Sequence, residues 1–455
     1  MSGNVAHRVA GALLAGVVGL GLLVSAPAEA ACTVITGVTV HTPEGPQKGR
    51  SVVIDGPRVA AVGVGLRDLK LTLDERQQVT GAAWRGTECA FVQGGSKQLT
   101  AGLVAVPTQL GLVEVGLERG TRDDDPQTDD PIRAALVVAD GYDPRLTAIA
   151  VSRMEGITTA LTAPGGGFVS GRAAMVSLRG TRQSESLLDA NAAMVMRVPT
   201  ASFADGLRQI RELVSEVQAW SRDRGAYDDG RPFPEGAGRA DLEALLPVVR
   251  GQMPVLIGAD RASELEGLVR LKQETGLKLV ITGAAEGWMV ADELARAKIP
   301  VIVDPLVYGP GSFDERAGRA DNAKLLVEAG VQVMLTAGYY GAHNVRVLRQ
   351  AAGNAVRGGL DHAAAVAAIT SVPAQVFGQR DRGFVGVGAA ADLALWSGDP
   401  LELSTSLEQL WIGGENIPRT SRQRKLAERY RALGERPGTP AVLPLEPPSD
   451  QEASP

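Results

Sequence analysis

Histidine is scarce in this chain: 455 residues hold four, His7, His41, His343 and His362. Once a leader carrying His7 is removed, three imidazoles remain, too few for a four-histidine metal centre. A serine triad has little support either, and no Gly-x-Ser-x-Gly elbow occurs. Cysteine is scarcer still, with Cys32 and Cys89 alone, and no Cys/His spacing of a structural zinc site is present. Neither sign of charge dominates. Lys plus Arg total 46 against 52 for Asp plus Glu, a net charge of -6 with both signs scattered, so there is no basic field for a nucleic-acid partner.

An apolar run opens the chain. Arg8 precedes residues 9–24, and Ala28-Glu29-Ala30 forms a small-x-small cleavage site before Ala31. Residues 1–30 read as a signal peptide, which makes the mature chain periplasmic or secreted, with no membrane association after cleavage. Two alternatives stay open. One is a retained anchor, because the run is near the lower length for spanning. The other is lipidation at Cys32, although Glu29 stands where a lipidation box wants an aliphatic residue. Export to an oxidising compartment predicts a disulfide between Cys32 and Cys89, with two buried free thiols as the alternative.

The length exceeds what one core usually holds, so a large barrel with a satellite domain is expected. Strand-like alternation fills residues 33–64, and the same short-strand texture returns at 383–396 and 410–414. A β unit assembled from both chain ends is the economical reading. Between them, apolar runs at 103–106, 158–161, 255–257, 277–282, 301–303 and 331–335 alternate with helical periodicity at 262–274, 288–297, 319–328 and 344–357. That repeat predicts an α/β fold with a parallel sheet, most simply a TIM-like (β/α)8 barrel whose active site sits at the C-terminal strand ends. A further helix over 203–224 places Leu207, Ile210, Leu213, Val214, Val217 and Trp220 on one face as a packing stripe. Residues 227–238 read as a loop. The tail begins as a charged helix at Ser421 and becomes Pro-rich and disordered after Gly438. The expected divisions are 1–30 signal peptide, 31–99 first part of a β-sandwich, 100–382 barrel, 383–420 second part of the sandwich and 421–455 tail.

Residues 99–112, Leu-Thr-Ala-Gly-Leu-Val-Ala-Val-Pro-Thr-Gln-Leu-Gly-Leu, resemble the first barrel strand of the amidohydrolase superfamily, where a Pro-Gly-Leu-Ile-Asp lead runs into His-x-His. Thr370-Ser371-Val372-Pro373-Ala374, Gly386-Val387-Gly388 and Ala391-Asp392-Leu393 are similar to its closing signature of Asn-Pro-Ala, Gly-x-x-x-Gly and Ala-Asp-Leu. Gly156-Ile157-Thr158-Thr159, Pro164-Gly165-Gly166-Gly167 and Ala285-Glu286-Gly287-Trp288 resemble its imidazolonepropionase-like and prolidase-like exported members. The resemblance covers about residues 33–415. It implies the barrel with a composite β-sandwich, and an ancestral hydrolysis of C–N bonds in cyclic amides or small peptides.

In that superfamily the His-x-His pair, a histidine after each of strands five and six and an aspartate after strand eight hold zinc or another divalent metal, which activates water. The matching positions here are Pro107, Gln109, Gly258, Gly283 and Ala337, none of which carries an imidazole or a carboxylate. The expectation is a degenerate centre with no metal and no other cofactor. Catalytic duty would fall to a carboxylate pair drawn from Asp260, Glu286 and Asp304, able to act in acid/base work or to hold a hard cation. Gln109, Arg261, Tyr308, His343 and Asn344 are the expected binding residues, all following strand ends. The alternative is structural: Asp260-Arg261 as an internal ion pair, Asp304 before Pro305 as a loop cap, and His343 and His362 as surface or capping histidines.

Two functional readings follow, from different classes. One is a periplasmic C–N hydrolase with an altered centre. The other is a non-catalytic pseudoenzyme that keeps the mouth as a pocket for a small amide or peptide, as a homo-oligomer or as partner subunit of an intact paralogous amidohydrolase. Pro164-Gly165-Gly166-Gly167 lacks a Lys-Ser/Thr follow-on and reads as a tight βα turn, not a phosphate loop. The run Asp123-Asp124-Asp125 with Asp129-Asp130 lacks the Gly and Glu of an EF-hand loop and reads as a solvated turn.

Overall fold

The computed structural model describes residues 32–434, apart from 127, 199–201, 230, 307–310 and 339–340. The expected leader, Tyr308 and the Pro-rich tail therefore lie outside the described residues. Eight strands form one sheet in chain order: Leu103–Thr108, Ile157–Thr162, Val169–Ser177, Leu187–Met196, Val255–Ala259, Leu279–Gly283, Val301–Val303 and Val333–Leu335. Side chains alternate across it with the period of two that strands impose. Val104, Val106, Leu161, Met175, Val195, Leu256, Val280, Ile302 and Met334 fill the interior, while Leu103, Ala160, Val255, Leu279, Val301 and Val333 pack outward into the cluster shared with the surrounding helices. Helix Ser371–Val376 packs against both the first and the last strand, and its Ala374 and Val376, with Phe377, complete the inner cluster. The sheet is a nearly closed barrel.

One strand departs from the expected (β/α)8 pattern. Val169–Ser177 runs antiparallel to both neighbours, whereas the other neighbouring pairs are parallel. Chain length is the reason. Residues 163–168 and 178–186 are all that separate it from the strands before and after, and a parallel crossover needs roughly a dozen residues or more. Pro164–Gly167 thus joins two antiparallel strands and is not the βα turn expected. Both Val169–Ser177 and Leu187–Met196 were absent from the six strand-like runs, and they bring the barrel to eight. The packing stripe is confirmed: helix Phe203–Arg222 buries all six of its residues, and Ser202 caps its start by accepting from the Asp205 N–H at 3.2 Å.

The second sheet joins the chain ends. Cys32–Thr42 pairs in parallel with Gln98–Ala101, which pairs antiparallel with Leu393–Trp396, and this in turn with Leu407–Ile412. Gln98–Ala101 is one continuous strand across the expected division at 99/100. Its core gathers Ile35, Val40, Ile54 and Leu99 with Leu393, Leu395 and Trp411 from the far end of the sequence. The parallel register Thr33 to Ala90 sets Cys32 beside Cys89, and the two form the expected disulfide, with Cα atoms 4.7 Å apart. Helix Arg422–Gly434 begins the charged tail.

Candidate functional site

The C-terminal strand ends of the barrel surround a cavity of about 590 Å3, walled in part by Gln109, Gly165, Arg197, Gly258, Asp260 and Glu315. A side cavity of about 50 Å3 shares Asp260, Gly283 and Glu315 with it and adds Asp304. The strand ends explain why these residues meet. Gly258 and Gly283 lie in the last two residues of the fifth strand and at the end of the sixth, and Asp304 follows the seventh. Gly283 adopts φ +103°, and a Cβ there would press on Asp260 Oδ1 and on the Ala259 carbonyl. Only glycine leaves the Asp260 carboxyl its place.

Asp260 accepts from the Ala285 N–H at 3.2 Å. Burial first, then repulsion from Glu315, Glu264 and Asp314, pushes its pKa up to about 6, against the pull of that N–H. Asp304 is buried and accepts from the N–H groups of Leu306 at 2.9 Å and Gly338 at 2.6 Å. Burial raises its pKa as well, and those two N–H groups oppose the rise. Asp304 therefore ties the end of the seventh strand to that of the eighth, the loop-capping role foreseen for it, while still facing the side cavity. Asn344 packs against Gly338, whose φ of +62° leaves room for its amide.

Glu286 departs from the expected carboxylate pair. Its Oε2 accepts from the Ala262 N–H at 2.9 Å, so it stabilises the start of helix Ala262–Thr275. Its Oε1 lies 3.8 Å from Arg316 Nε, and among the described residues Glu286 lines neither cavity. The structure brings Asp260 and Asp304 together and leaves Glu286 outside. Arg261 also differs from the ion-pair alternative: it turns to Glu264 at 2.7 Å and Asp314 at 3.2 Å, not to Asp260. His343 is exposed. His41 and His362 lie far along the fold, at the second sheet, with ring centroids 5.6 Å apart.

Three functional features escaped the sequence. Asp314 and Glu315 reach the mouth from the long loop after the seventh strand; loop length at that barrel end was the available signal. Asp124 is 1 % exposed and grips Arg122 through both oxygens, while Asp125 pairs with Arg133 at 2.8 Å, so these two acids of the run are paired internally, whereas Asp123, Asp129 and Asp130 are exposed as a solvated turn requires. Gln109 donates its amide Nε2 to Asp124.

These residues do not fit a divalent metal. Of Pro107, Gln109, Gly258, Gly283 and Ala337, only Gln109 has a polar side chain, and a single amide oxygen makes no donor set. Among the described residues no group of three or more His, Cys, Asp or Glu converges as a cation site.

Residues 145–417 match the sequence profile of the amidohydrolase family. An amidohydrolase, tasK, from Hapsidospora irregularis is 23% identical over 361 residues, which cover 70% of this chain and 36% of that protein; the chain spans about a third of that relative's length. The structure is similar to an amidohydrolase from Thermotoga maritima MSB8, with a TM-score of 0.72, 23% identity, and coverage of 85% of this chain and 100% of the other. A prolidase complexed with N-methylphosphonate-L-proline aligns at a TM-score of 0.52 and 14% identity, covering 86% of this chain and all of the prolidase. Molinate hydrolase aligns at 0.51 and 16%, covering 86% and 95%.

Proposed function

The chain belongs to the amidohydrolase family, and from that premise we propose that it has kept the family's barrel-mouth pocket as a binding site for a small amide or peptide while giving up the metal centre. The observation that carries this reading is the 590 Å3 cavity standing over Gln109, Gly258 and Gly283. A volume in the range of small-molecule pockets is preserved where the residues beneath it offer no donor set for zinc. Function is argued from the site and not from the scaffold. In this reading the mature protein acts outside the cytoplasm and needs no cofactor. The cyclic amides and short peptides that such a mouth admits are its ligands, and an intact paralogous amidohydrolase or a second copy of the chain is its partner.

A second reading is supported by one observation, the Asp260 carboxyl raised to about 6 within the cavity. A group poised near neutrality is suited to general acid or base work, and metal-free hydrolysis of an activated amide would run through it. One screen separates the two. The purified chain is exposed to a panel of cyclic amides and dipeptides with and without chelator, with binding and turnover recorded together. Chelator-insensitive binding without turnover is expected. Turnover abolished by Asp260→Asn would establish the second reading, and a panel without any binder would overturn both.

A further inference from the structure

Resting on the pocket reading above, the geometry points to Gln109 as the ligand's anchor, presenting its amide oxygen to the cavity, and to Asp124 and Arg122 as the positioning residues that fix it so. The pocket would thereby select ligands that donate an N–H.

A glutamine amide has two ends of opposite hydrogen-bonding sense, and its neighbours decide which way it turns. Here the nitrogen faces Asp124. Both oxygens of Asp124 accept from Arg122, at 3.0 Å from Nε and 2.9 Å from Nη2. A carboxyl group whose two oxygens both face guanidinium N–H groups presents acceptors to its other neighbours. It accepts from the amide nitrogen, and a flipped amide would set oxygen against oxygen. The clamp is itself anchored: Arg122 Nη1 donates to the Gly116 carbonyl at 3.2 Å, and the Gly165 N–H donates to the Asp124 carbonyl at 2.8 Å. Gly165 and Gln109 both wall the main cavity. Gln109 gives an amide N–H to Asp124, which turns its carbonyl oxygen away from that carboxylate and makes it the acceptor the side chain can offer a ligand. Asp260, on the fifth strand's side of the same cavity, adds a second acceptor. A ligand N–H pairs with these groups; an N-methyl group in its place leaves a desolvated acceptor without a partner, which costs binding.

The test uses the purified full chain and a matched pair of cyclic dipeptides: cyclo(glycyl-glycyl), which carries two N–H groups, and its N,N'-dimethyl analogue, which has none. Affinities are read by calorimetric titration or ligand-observed NMR, beside the thermal midpoint. The unmethylated probe is expected to bind at least roughly tenfold more tightly. Asp124→Asn lets the Gln109 amide turn either way and is expected to bring the ratio of affinities towards one. Gln109→Met, of similar length but without the acceptor, should do the same. Should Asp124→Asn fail to fold, the part-exposed Arg122 gives a milder variant, Arg122→Gln, expected to shrink the ratio. Equal binding of the two probes by the wild type would overturn the anchor while the pocket reading stands on its panel. Failure of both probes to bind overturns the anchor too, and the panel then decides whether the pocket reading falls with it. A ratio that survives Gln109→Met would assign the selection to another residue.

Discussion

The seam between the two sheets and the mouth of the barrel use similar residues to opposite ends. At the seam, Gly156 has φ +81° and lies so close to Trp396 that a Cβ would overlap the indole. The indole is fully buried, donates to Thr100 Oγ1 at 2.9 Å and carries the Arg349 guanidinium 4.7 Å over its ring. His41 meets Gln98 there, and His362 meets Asp399 at 2.9 Å. At the mouth, Gly258 is exposed, and the nearest atom to a Cβ would be Thr282 Oγ1 at 3.5 Å, an ordinary contact. Asp260 there is crowded by like charges. Glycine closes packing at one place and leaves space at the other; polar groups are paired at one and left in tension at the other. A site that is to admit a ligand needs the second arrangement, and stability comes from the first.

The largest effect that would sharpen this contrast lies in the two glycines. Gly156→Ala must displace a buried indole in a backbone conformation that alanine resists, so a loss of about 3 kcal/mol is expected, read from urea unfolding. Gly258→Ala should change stability by no more than about 0.5 kcal/mol. Comparable losses at both sites would erase the distinction.

Next comes Asp260. Its carboxyl is raised from 3.8 to about 6 on folding, so the folded state holds a proton that the unfolded state releases. Stability from this group is complete below pH 3.8 and is lost as pH rises through 6. Asp260→Asn is therefore expected to stabilise the protein by on the order of 1 kcal/mol at pH 7.5 and to change little near pH 4. Thermal midpoints across that range measure it, and a destabilised variant at pH 7.5 would show the mouth to be as well paired as the seam.

The smallest effect concerns the histidines. The hydrogen bond to Asp399 raises His362, so its contribution is present below pH 6.5 and lost as pH rises through its folded value. Burial lowers His41, whose contribution is present above 6.5 and lost as pH falls through its own folded value. The two oppose each other near neutrality. His41→Gln leaves the His362 contribution alone, and stability should then decline between pH 6 and 8 by a few tenths of a kcal/mol more than in the wild type. An unchanged slope would show that the two imidazoles are not separately titrating at the seam.

The barrel was legible where strands are Val- and Ile-rich and spaced by helices, as at Val255–Ala259 or Val301–Val303. It was not legible at Val169–Ser177 and Leu187–Met196, whose Ala, Gly, Met and Asn content carries little β-propensity. Their strand state depends on neighbours on either side of them in the sheet. Gln109, Asp260 and Asp304 could be placed at the mouth because strand ends place them. Glu286 could not be assigned, since its partner, the Ala262 N–H, lies 24 residues away. Asp124 reads as a solvated acid until Gln109, 15 residues earlier, is known to stand beside it.

Metal content of the purified full chain, expressed with zinc, manganese and iron in the medium, tests most directly the claim that the mouth recognises its ligand without a metal. Less than about one tenth of an equivalent of any transition metal is expected, because Pro107, Gln109, Gly258, Gly283 and Ala337 carry no imidazole or carboxylate and, among the described residues, no three His, Cys, Asp or Glu converge as a cation site. One tightly held equivalent, whose removal also abolishes ligand binding, would contradict it.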